Sequence, residues 1–316
     1  MKVFFSGFWG GFYDGSNQMN INFFIKLLND IYNEEIIYTN NLDEAEILFN
    51  SVFSRDHKDD YYLNYKEWKA SFLFTGESCH SFHNREAYNN NVKYLSSYTC
   101  ILGYNPTNDN FIEFPFYIMY FKSYPNMCFE PAKCIKNNTA SAVIRYHSDS
   151  VRCSFLDKLE KKMNVLYGGA YKNNIGGLIT PFCSGYSENL INFYKNTKFV
   201  ITMENTKIEH YITEKLINGF RAGIVPIYWG SPHISKHFNT KRFIVLEDDS
   251  ESSMDAVIDR MINMNDEEYF KMVNEPIFNE GMNIDIVYNN AVENIKKLVF
   301  KDNINIIKQA KNEGIC

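Results

Sequence analysis

The sequence predicts an α/β fold made of two successive domains, each with a parallel sheet flanked by helices. Two observations support this prediction. Short apolar runs of strand length alternate with segments of helical periodicity through most of the 316 residues, and such alternation favours parallel sheets. The alternation lapses over residues 122–139, where prolines, asparagines and lysines follow one another without periodicity, and then restarts. This lapse is typical of a linker between domains.

The first domain is expected over residues 1–125. A helix is predicted at residues 22–33, because Phe24, Leu28 and Ile31 follow the i, i+4, i+7 spacing of one helix face. Strand candidates lie at residues 2–9, 35–39, 45–51, 70–74, 99–104 and 111–120.

The second domain is expected over residues 140–284. Its strand candidates are residues 141–147, 165–167, 199–203, 224–229 and 242–246, and its helix candidates are residues 148–163, 188–194, 214–222, 252–264 and 266–274. Ser148 or Asp149 is expected to cap the helix at 148–163. Pro226 is an objection to the strand at 224–229, because proline cannot donate a hydrogen bond within a central sheet.

Residues 285–316 form a C-terminal tail with an apolar stripe through Val287, Ala291, Ile295 and Leu298. We expect a helix that packs on the protein and closes the structure. The alternative is peripheral contact with an anionic membrane surface, because lysines accompany the stripe.

Composition narrows the functional classes. The formal charge of −6 argues against a nucleic-acid partner. The 7 cysteines are an odd, scattered set without a Cys-x-x-Cys pair, which favours reduced thiols over a disulfide framework. No apolar run approaches the length of a membrane span. We therefore expect a soluble, cytoplasmic protein.

The most informative stretch is residues 198–232, which reads as strand, loop, helix, strand and tight turn. Thr213 is a good N-cap for the helix and Gly223 a good residue for its C-terminal end. Glu214 and Lys215 then lie in the first turn beside free backbone N–H groups. This arrangement suits a phosphate, because the helix dipole and the lysine favour an anion, while a carboxylate can accept sugar hydroxyls. An ordinary βαβ unit is the alternative.

Three blocks in this stretch resemble the donor-binding signature of the α1,3/4-fucosyltransferases, glycosyltransferase family 10. The blocks are Met203-Glu204-Asn205-Thr206, Tyr211-Ile212-Thr213-Glu214-Lys215 and Val225-Pro226-Ile227-Tyr228-Trp229-Gly230-Ser231-Pro232. Smaller matches are Gly168-Gly169, Asn173-Asn174-Ile175-Gly176 and His237-Phe238-Asn239. The resemblance spans most of residues 1–275 and is weakest in the first domain.

The resemblance implies a GT-B fold, in which two Rossmann-like domains face each other across a cleft, with the tail as a closing helix. It also implies an inverting α1,3-fucosyltransferase that moves L-fucose from GDP-β-L-fucose to a GlcNAc-containing glycan acceptor by direct displacement. The expected donor-binding residues are Arg152, Asn205, Tyr211, Thr213, Glu214 and Lys215. An arginine such as Arg152, in the first turn of a helix, can hold diphosphate oxygens bidentately.

Direct displacement also needs a base on the face opposite the leaving group. Glu77 is the candidate, because it follows the strand at 70–74, where open α/β sheets bind ligands. Its surroundings, Thr75-Gly76-Glu77, resemble the family's Thr-Gly-Glu-Asn motif, with Ser78 in place of the asparagine. A solvated loop glutamate is the alternative. His80 and His83 follow and are expected to line the acceptor pocket.

We predict no metal site and no required cofactor. GDP-fucose is the expected donor substrate, and a divalent metal is expected at most to stimulate the reaction. His233 and His237 have helical metal-ligand spacing but no third ligand in view. Asp248-Asp249 lacks the Asp-x-Asp spacing of a metal motif. Two other functions stay open: a GT-B enzyme with another donor or linkage, and a non-catalytic module that binds GDP-sugars.

Overall fold

A computed structural model gives the structure of the chain. It describes residues 1–15, 18–53, 59–76, 78, 95–104, 108–145, 150–180 and 187–301. The chain divides into two compact units, numbered here by their order. The first unit joins Met1–Ser123 to Ile284–Cys316, and the second unit is Tyr124–Asn283.

The first unit contains a parallel sheet whose six strands, among the described residues, are ordered β2-β1-β3-β4-β5-β6. The strands are β1 (Lys2–Ser6), β2 (Ile37–Tyr38), β3 (Ile47–Ser51), β4 (Ala70–Phe74), β5 (Cys100–Gly103) and β6 (Phe111–Glu113). The helices are α1 (Ile21–Tyr32), α2 (Asp59–Leu63), α3 (Phe116–Ser123) and the C-terminal α10 (Ile284–Val299). Fully buried phenylalanines, among them Phe5, Phe24, Phe49, Phe72 and Phe74, fill the core beside the sheet.

The second unit has a parallel sheet of five strands in the order β11-β10-β9-β7-β8, counted over its described residues. The strands are β7 (Asn137–Ala142), β8 (Asn164–Tyr167), β9 (Thr197–Ile201), β10 (Val225–Tyr228) and β11 (Ile244–Val245). The helices are α4 (Val151–Leu159), α5 (Glu188–Tyr194), α6 (Glu214–Arg221), α7 (Ile234–His237), α8 (Glu251–Asn263) and α9 (Asp266–Val273). The clusters around Phe199 and around Val200 form two separate cores. Since neighbouring residues of a strand point to opposite faces, both faces of this sheet are covered.

Polar side chains mark where the helices begin. Ser150 accepts a hydrogen bond from the backbone N–H of Cys153 at the start of α4, and Asn20 accepts one from Asn22 before α1. Ser187, Thr213, Ser250 and Asn265 act in the same way before α5, α6, α8 and α9. Such caps satisfy backbone donors that have no partner inside the helix.

Some predicted elements are wrong in type or position. Residues 111–120, predicted as one strand, form β6 and then the first half of α3. The misassignment has a physical reason, because Tyr117 through Phe121 are all buried and a helix buried on every side shows no polar face. The helix predicted at 148–163 begins at Val151 with Ser150 as its cap and ends at Leu159. The strand predicted at 141–147 begins earlier, inside the predicted linker.

The strand at 224–229 is confirmed as β10, and the structure shows how it accommodates proline. Pro226 aligns with Val200 of β9, whereas the pairing with β11 starts only at Ile227. The residue without an N–H therefore precedes the ladder with β11.

One face of α10 is buried within the first unit. Tyr288, Ala291, Val292 and Ile295 are all buried, and the Tyr288 hydroxyl donates a hydrogen bond of 2.6 Å to Asp30 of α1. Of the predicted stripe, Ala291 and Ile295 are therefore covered by the protein, whereas Val287 and Leu298 are half-buried.

Within the described part of the chain, none of the helices combines the length and the apolar character needed to cross a bilayer.

Candidate active site

The strand order of the second unit determines where a ligand is expected. With the order β11-β10-β9-β7-β8, the chain leaves β7 toward one side of the sheet and returns through β9 on the other. Open α/β sheets bind ligands at such a switch point, at the carboxyl ends of the strands. Arg152 lies in the first turn of α4, which follows β7, and Glu204 follows β9 closely. Both residues therefore lie in segments that leave this edge of the sheet, Arg152 after β7 and Glu204 after β9.

Glu204 is the buried centre of the site. Its side chain is 0% exposed, and its Oε1 accepts hydrogen bonds from the backbone N–H of Thr213 at 2.8 Å and from the Thr213 hydroxyl at 3.0 Å. The ammonium of Lys215 donates to Oε2 at 3.1 Å. The backbone N–H of Glu204 donates to the carbonyl of Trp229 at 2.8 Å. One carboxylate thus connects the end of β9 with the start of α6, and its backbone connects both with the end of β10.

The side chain of Lys215 is hydrogen-bonded to the protein on one side and exposed to solvent on the other. Its Nζ also donates to the Thr213 hydroxyl at 2.9 Å and lies 3.7 Å from Oε1 of Glu214, while 30% of the side chain is exposed. Burial lowers the pKa of Lys215, but the facing carboxylates of Glu204 and Glu214 outweigh burial and hold this pKa above the ordinary lysine value. The lysine therefore carries its charge at any working pH.

The positive charge of Arg152 affects Lys215. This charge works against that of Lys215 and opposes the rise of the lysine pKa. The structure thus brings two of the predicted diphosphate ligands within electrostatic range of each other. Arg152 at the start of α4 and Lys215 at the start of α6 thus place two cations beside the carboxylates of Glu204 and Glu214. Cations at helix starts favour the binding of an anion.

A glycine allows the close packing around Glu204. A Cβ atom on Gly230 would lie 2.5 Å from the Tyr228 hydroxyl oxygen and 2.7 Å from Cγ of Glu204, closer than real Cβ contacts allow. The Tyr228 hydroxyl in turn accepts a hydrogen bond from the backbone N–H of Ser231 at 2.9 Å. The turn after β10 therefore depends on the absence of a side chain at residue 230.

The other predicted residues are distributed around this centre. Thr213 caps α6, as predicted, and accepts a hydrogen bond from the backbone N–H of Lys215 at 3.5 Å. Glu214 is half-buried in the first turn, Tyr211 is buried, and Asn205 is exposed. Glu77, His80 and His83 lie outside the described residues.

Sequence reasoning gave Glu204 no role beyond ending a strand. Its place in the quoted Met203-Glu204-Asn205-Thr206 block, directly after a buried strand, was the available signal. A carboxylate in that place is expected at the ligand-binding edge of the sheet.

Beside this centre lies a set of ligands that could hold a metal ion. Glu209, His210 and His233 each offer one ligand atom, and these atoms lie within 4.8 Å of one another. Both ligands that accompany His233, Glu209 and His210, come from the loop before Thr213, whereas His237, which the sequence paired with His233, contacts His210.

Comparison with known protein families identifies the second unit. Residues 133–274 match the C-terminal part of glycosyltransferase family 10 (fucosyltransferase). This range contains the elements β7 to α9. It also contains the charged site residues Arg152, Glu204, Glu214 and Lys215.

Individual relatives agree. The chain is 41% identical over 121 residues to a putative fucosyltransferase of Acanthamoeba polyphaga mimivirus. This alignment covers 38% of this chain and 20% of the viral protein. It is 32% identical over 130 residues to an alpha-(1,3)-fucosyltransferase of Helicobacter pylori. This alignment covers 40% of this chain and 26% of the bacterial protein. The matched stretch thus spans only about a fifth to a quarter of the length of these curated relatives.

The likeness to solved structures extends over nearly the whole chain. A crystal structure of an alpha1,3-fucosyltransferase superposes with a TM-score of 0.65 at 20% identity, covering 94% of this chain and 89% of that chain. A crystal structure of an alpha1,3-fucosyltransferase with GDP-fucose superposes with a TM-score of 0.62 at 19% identity, with coverages of 94% and 90%. This likeness shows the fold and confirms the predicted α/β, GT-B class. Residues 133–274, within the second unit, therefore form a C-terminal domain of glycosyltransferase family 10, the fucosyltransferases.

Proposed function

We propose that this protein is an inverting α1,3-fucosyltransferase, which transfers L-fucose from GDP-β-L-fucose to a hydroxyl of a GlcNAc-containing glycan by direct displacement. The match of residues 133–274 to the fucosyltransferase family supports fucosyl transfer, and the alpha-(1,3) linkage in the name of the Helicobacter pylori relative supports the linkage. The solved proteins of the same fold with GDP-fucose and with GDP support the donor.

The observation that carries the proposal is Lys215, held by the buried Glu204 and the capping Thr213 at the start of α6. A lysine ammonium has three N–H donors. Among the described residues, the oxygens of Glu204 and Thr213 take two of them, so one donor is available to a diphosphate oxygen. Because Glu204 and Thr213 already fix the ammonium, little side-chain freedom is lost when the donor binds.

The departing GDP carries the negative charge that develops in the reaction. In our proposal Lys215, Arg152 and the backbone N–H groups at the start of α6 stabilise that charge, which is catalysis by preorganised electrostatics. Glu214, Tyr211 and Asn205 are assigned to ribose or fucose hydroxyls. Glu204 is a positioning residue that acts through Lys215.

Glu77 is assigned as the base. It removes the proton from the acceptor hydroxyl as that oxygen attacks the anomeric carbon and the bond from this carbon to the GDP oxygen breaks, which inverts the configuration. His80 and His83 are assigned to the acceptor pocket.

A GDP-release assay with GDP-fucose and N-acetyllactosamine tests the activity. Glu77→Gln is expected to abolish transfer and leave GDP affinity nearly unchanged. Arg152→Ala and Lys215→Ala are expected to weaken GDP binding by roughly 10-fold or more, since a charged hydrogen bond contributes about 1.5–3 kcal/mol. Lys236→Ala, at an exposed lysine of α7, is the matched control and should bind GDP like the natural sequence.

Two outcomes would contradict the proposal. Equal GDP affinity in all four variants would remove the roles of Arg152 and Lys215. Thermal stabilisation by another nucleotide sugar, with no response to GDP or GDP-fucose, would indicate a GT-B enzyme with a different donor.

A further inference from the structure

A cluster of three histidines and one glutamate lies on the segments that flank Glu204. Nδ1 of His210 lies 3.3 Å from Nε2 of His237, and Nε2 of His233 lies 3.4 Å from Oε1 of Glu209. The rings of His210 and His233 stack with their centroids 5.0 Å apart and their planes at 28°. One ligand atom from each of Glu209, His210 and His233 falls within a common distance of 4.8 Å.

The backbone around this cluster is held in place. His210 has φ of 59°, in the left-handed region that non-glycine residues rarely adopt. Ser231 supports this conformation, because its hydroxyl oxygen accepts hydrogen bonds from the backbone N–H groups of His210 at 3.0 Å and of His233 at 3.2 Å. Strained positions persist where the surrounding structure fixes them, and they are frequent at functional sites.

We propose that Glu209, His210 and His233 form a binding site for a divalent transition metal of the zinc class. Zinc binds histidine nitrogens and carboxylate oxygens at about 2.0–2.2 Å, so the ligand atoms of a tetrahedral site lie about 3.3–3.6 Å apart. The 3.4 Å between Glu209 and His233 already has this length. The ligand atom of His210 lies within 4.8 Å of these two atoms.

The ligand types select the metal. Imidazole nitrogen suits zinc, copper and nickel, whereas magnesium and calcium prefer sites made of oxygen ligands. Three protein ligands leave one position for water or another exchangeable ligand, the arrangement of open zinc sites. His237 contacts His210 and fixes its ring, as hydrogen-bonding neighbours do for metal-ligating histidines.

The site is open to solvent on one side. The side chain of Glu209 is 50% exposed and that of His233 is 32% exposed, whereas His210 and His237 are buried. A metal can thus enter from solvent without unfolding the two segments. It then clamps the loop before Thr213 to the turn after β10, the two segments that already meet at Glu204.

This proposal is independent of the fucosyltransferase assignment, and titration of the full chain with Zn²⁺ and Co²⁺ tests it. The protein is prepared without a polyhistidine tag, in a Cys128→Ser, Cys134→Ser background, because these exposed thiols could bind metal themselves. We expect one saturable site by isothermal titration calorimetry. Bound Co²⁺ should show visible absorption bands of nitrogen and oxygen ligation, without thiolate charge transfer.

Substitutions distinguish the proposed metal ligands from residues that do not bind the metal. His233→Ala and Glu209→Gln are expected to weaken Zn²⁺ binding by 10-fold or more and to remove the Zn²⁺-induced rise in melting temperature. Lys236→Ala and Glu267→Gln, at exposed positions of the same unit, are matched controls and should bind Zn²⁺ like the background protein. Unchanged affinity in His233→Ala and Glu209→Gln, or no saturable binding in the background protein, would overturn the proposal.

Discussion

The Glu204 carboxylate and the Lys215 ammonium depend on each other more than their individual burial suggests. Glu204 is enclosed, and Thr213 and Lys215 donate hydrogen bonds to its carboxylate. Removing one partner of such a pair leaves the other charge with a poorer environment. The pair should therefore show strong coupling in stability.

We predict that Glu204→Gln lowers the free energy of unfolding by about 1–3 kcal/mol, because the amide group turns an N–H donor toward donors that need an acceptor. The same substitution should cost less in a Lys215→Met background. Urea denaturation of both single variants and the double variant measures this coupling. Strictly additive effects would show that the two side chains do not interact in solution.

A second residue-level prediction concerns Gly230. Since an added Cβ would meet the Tyr228 hydroxyl at 2.5 Å, Gly230→Ala should destabilise the protein by about 1–3 kcal/mol, as overpacking does. Gly177→Ala is the matched control, because a Cβ there meets nothing within 4 Å. Thermal unfolding compares the two, and equal melting temperatures would contradict the close packing of the turn at Ser231.

At the scale of elements, Thr213 both caps α6 and donates to Glu204. Thr213→Ala should lower the free energy of unfolding by about 1–3 kcal/mol, because loss of an N-cap costs about 0.5–2 kcal/mol and the buried carboxylate loses a donor as well. Thr213→Ser keeps the hydroxyl and is expected to recover most of this loss. Chemical denaturation gives both values, and a serine variant as unstable as the alanine variant would contradict the capping role.

The elements also show how far sequence reasoning reaches. Caps and periodicity are local, so the helix that begins at Thr213 and the strand that contains Phe199 could be predicted from neighbouring residues. A segment buried on all sides, such as α3, carries no periodic signal, and its type was predicted wrongly. The burial of Glu204 and the approach of His210 to His233 depend on segments about ten and twenty residues away. Only the folded chain brings these residues together.

At the scale of the whole molecule, α10 makes the first unit discontinuous in sequence. Tyr288 of α10 packs between Asp30 of α1, at 2.6 Å from its hydroxyl, and Lys122 of α3, whose Nζ lies 4.7 Å from the ring centroid. Burial of an aromatic ring, a hydrogen bond to a carboxylate and a cation–π contact thus attach the helix to the first unit.

We predict that Tyr288→Ala destabilises the first unit by about 3–5 kcal/mol, the usual cost of truncating a buried aromatic side chain. Tyr288→Phe keeps the ring and should lose only the contribution of the hydroxyl, about 1.5–3 kcal/mol for a bond to a charged group. Hydrogen exchange followed by mass spectrometry should show lost protection in peptides of the first unit. Equal loss in peptides from Tyr124–Asn283 would contradict the division into units.

The attachment of α10 also affects the order in which the protein is made. A ribosome releases all of Tyr124–Asn283 before Ile284–Val299, and domains generally fold as units during synthesis. Tyr124–Asn283 can therefore reach its native state before Met1–Ser123. The strands of Met1–Ser123 stay incompletely covered until α10 has been synthesised. Chaperones that shield apolar nascent segments are accordingly expected to bind Met1–Ser123 longer than Tyr124–Asn283.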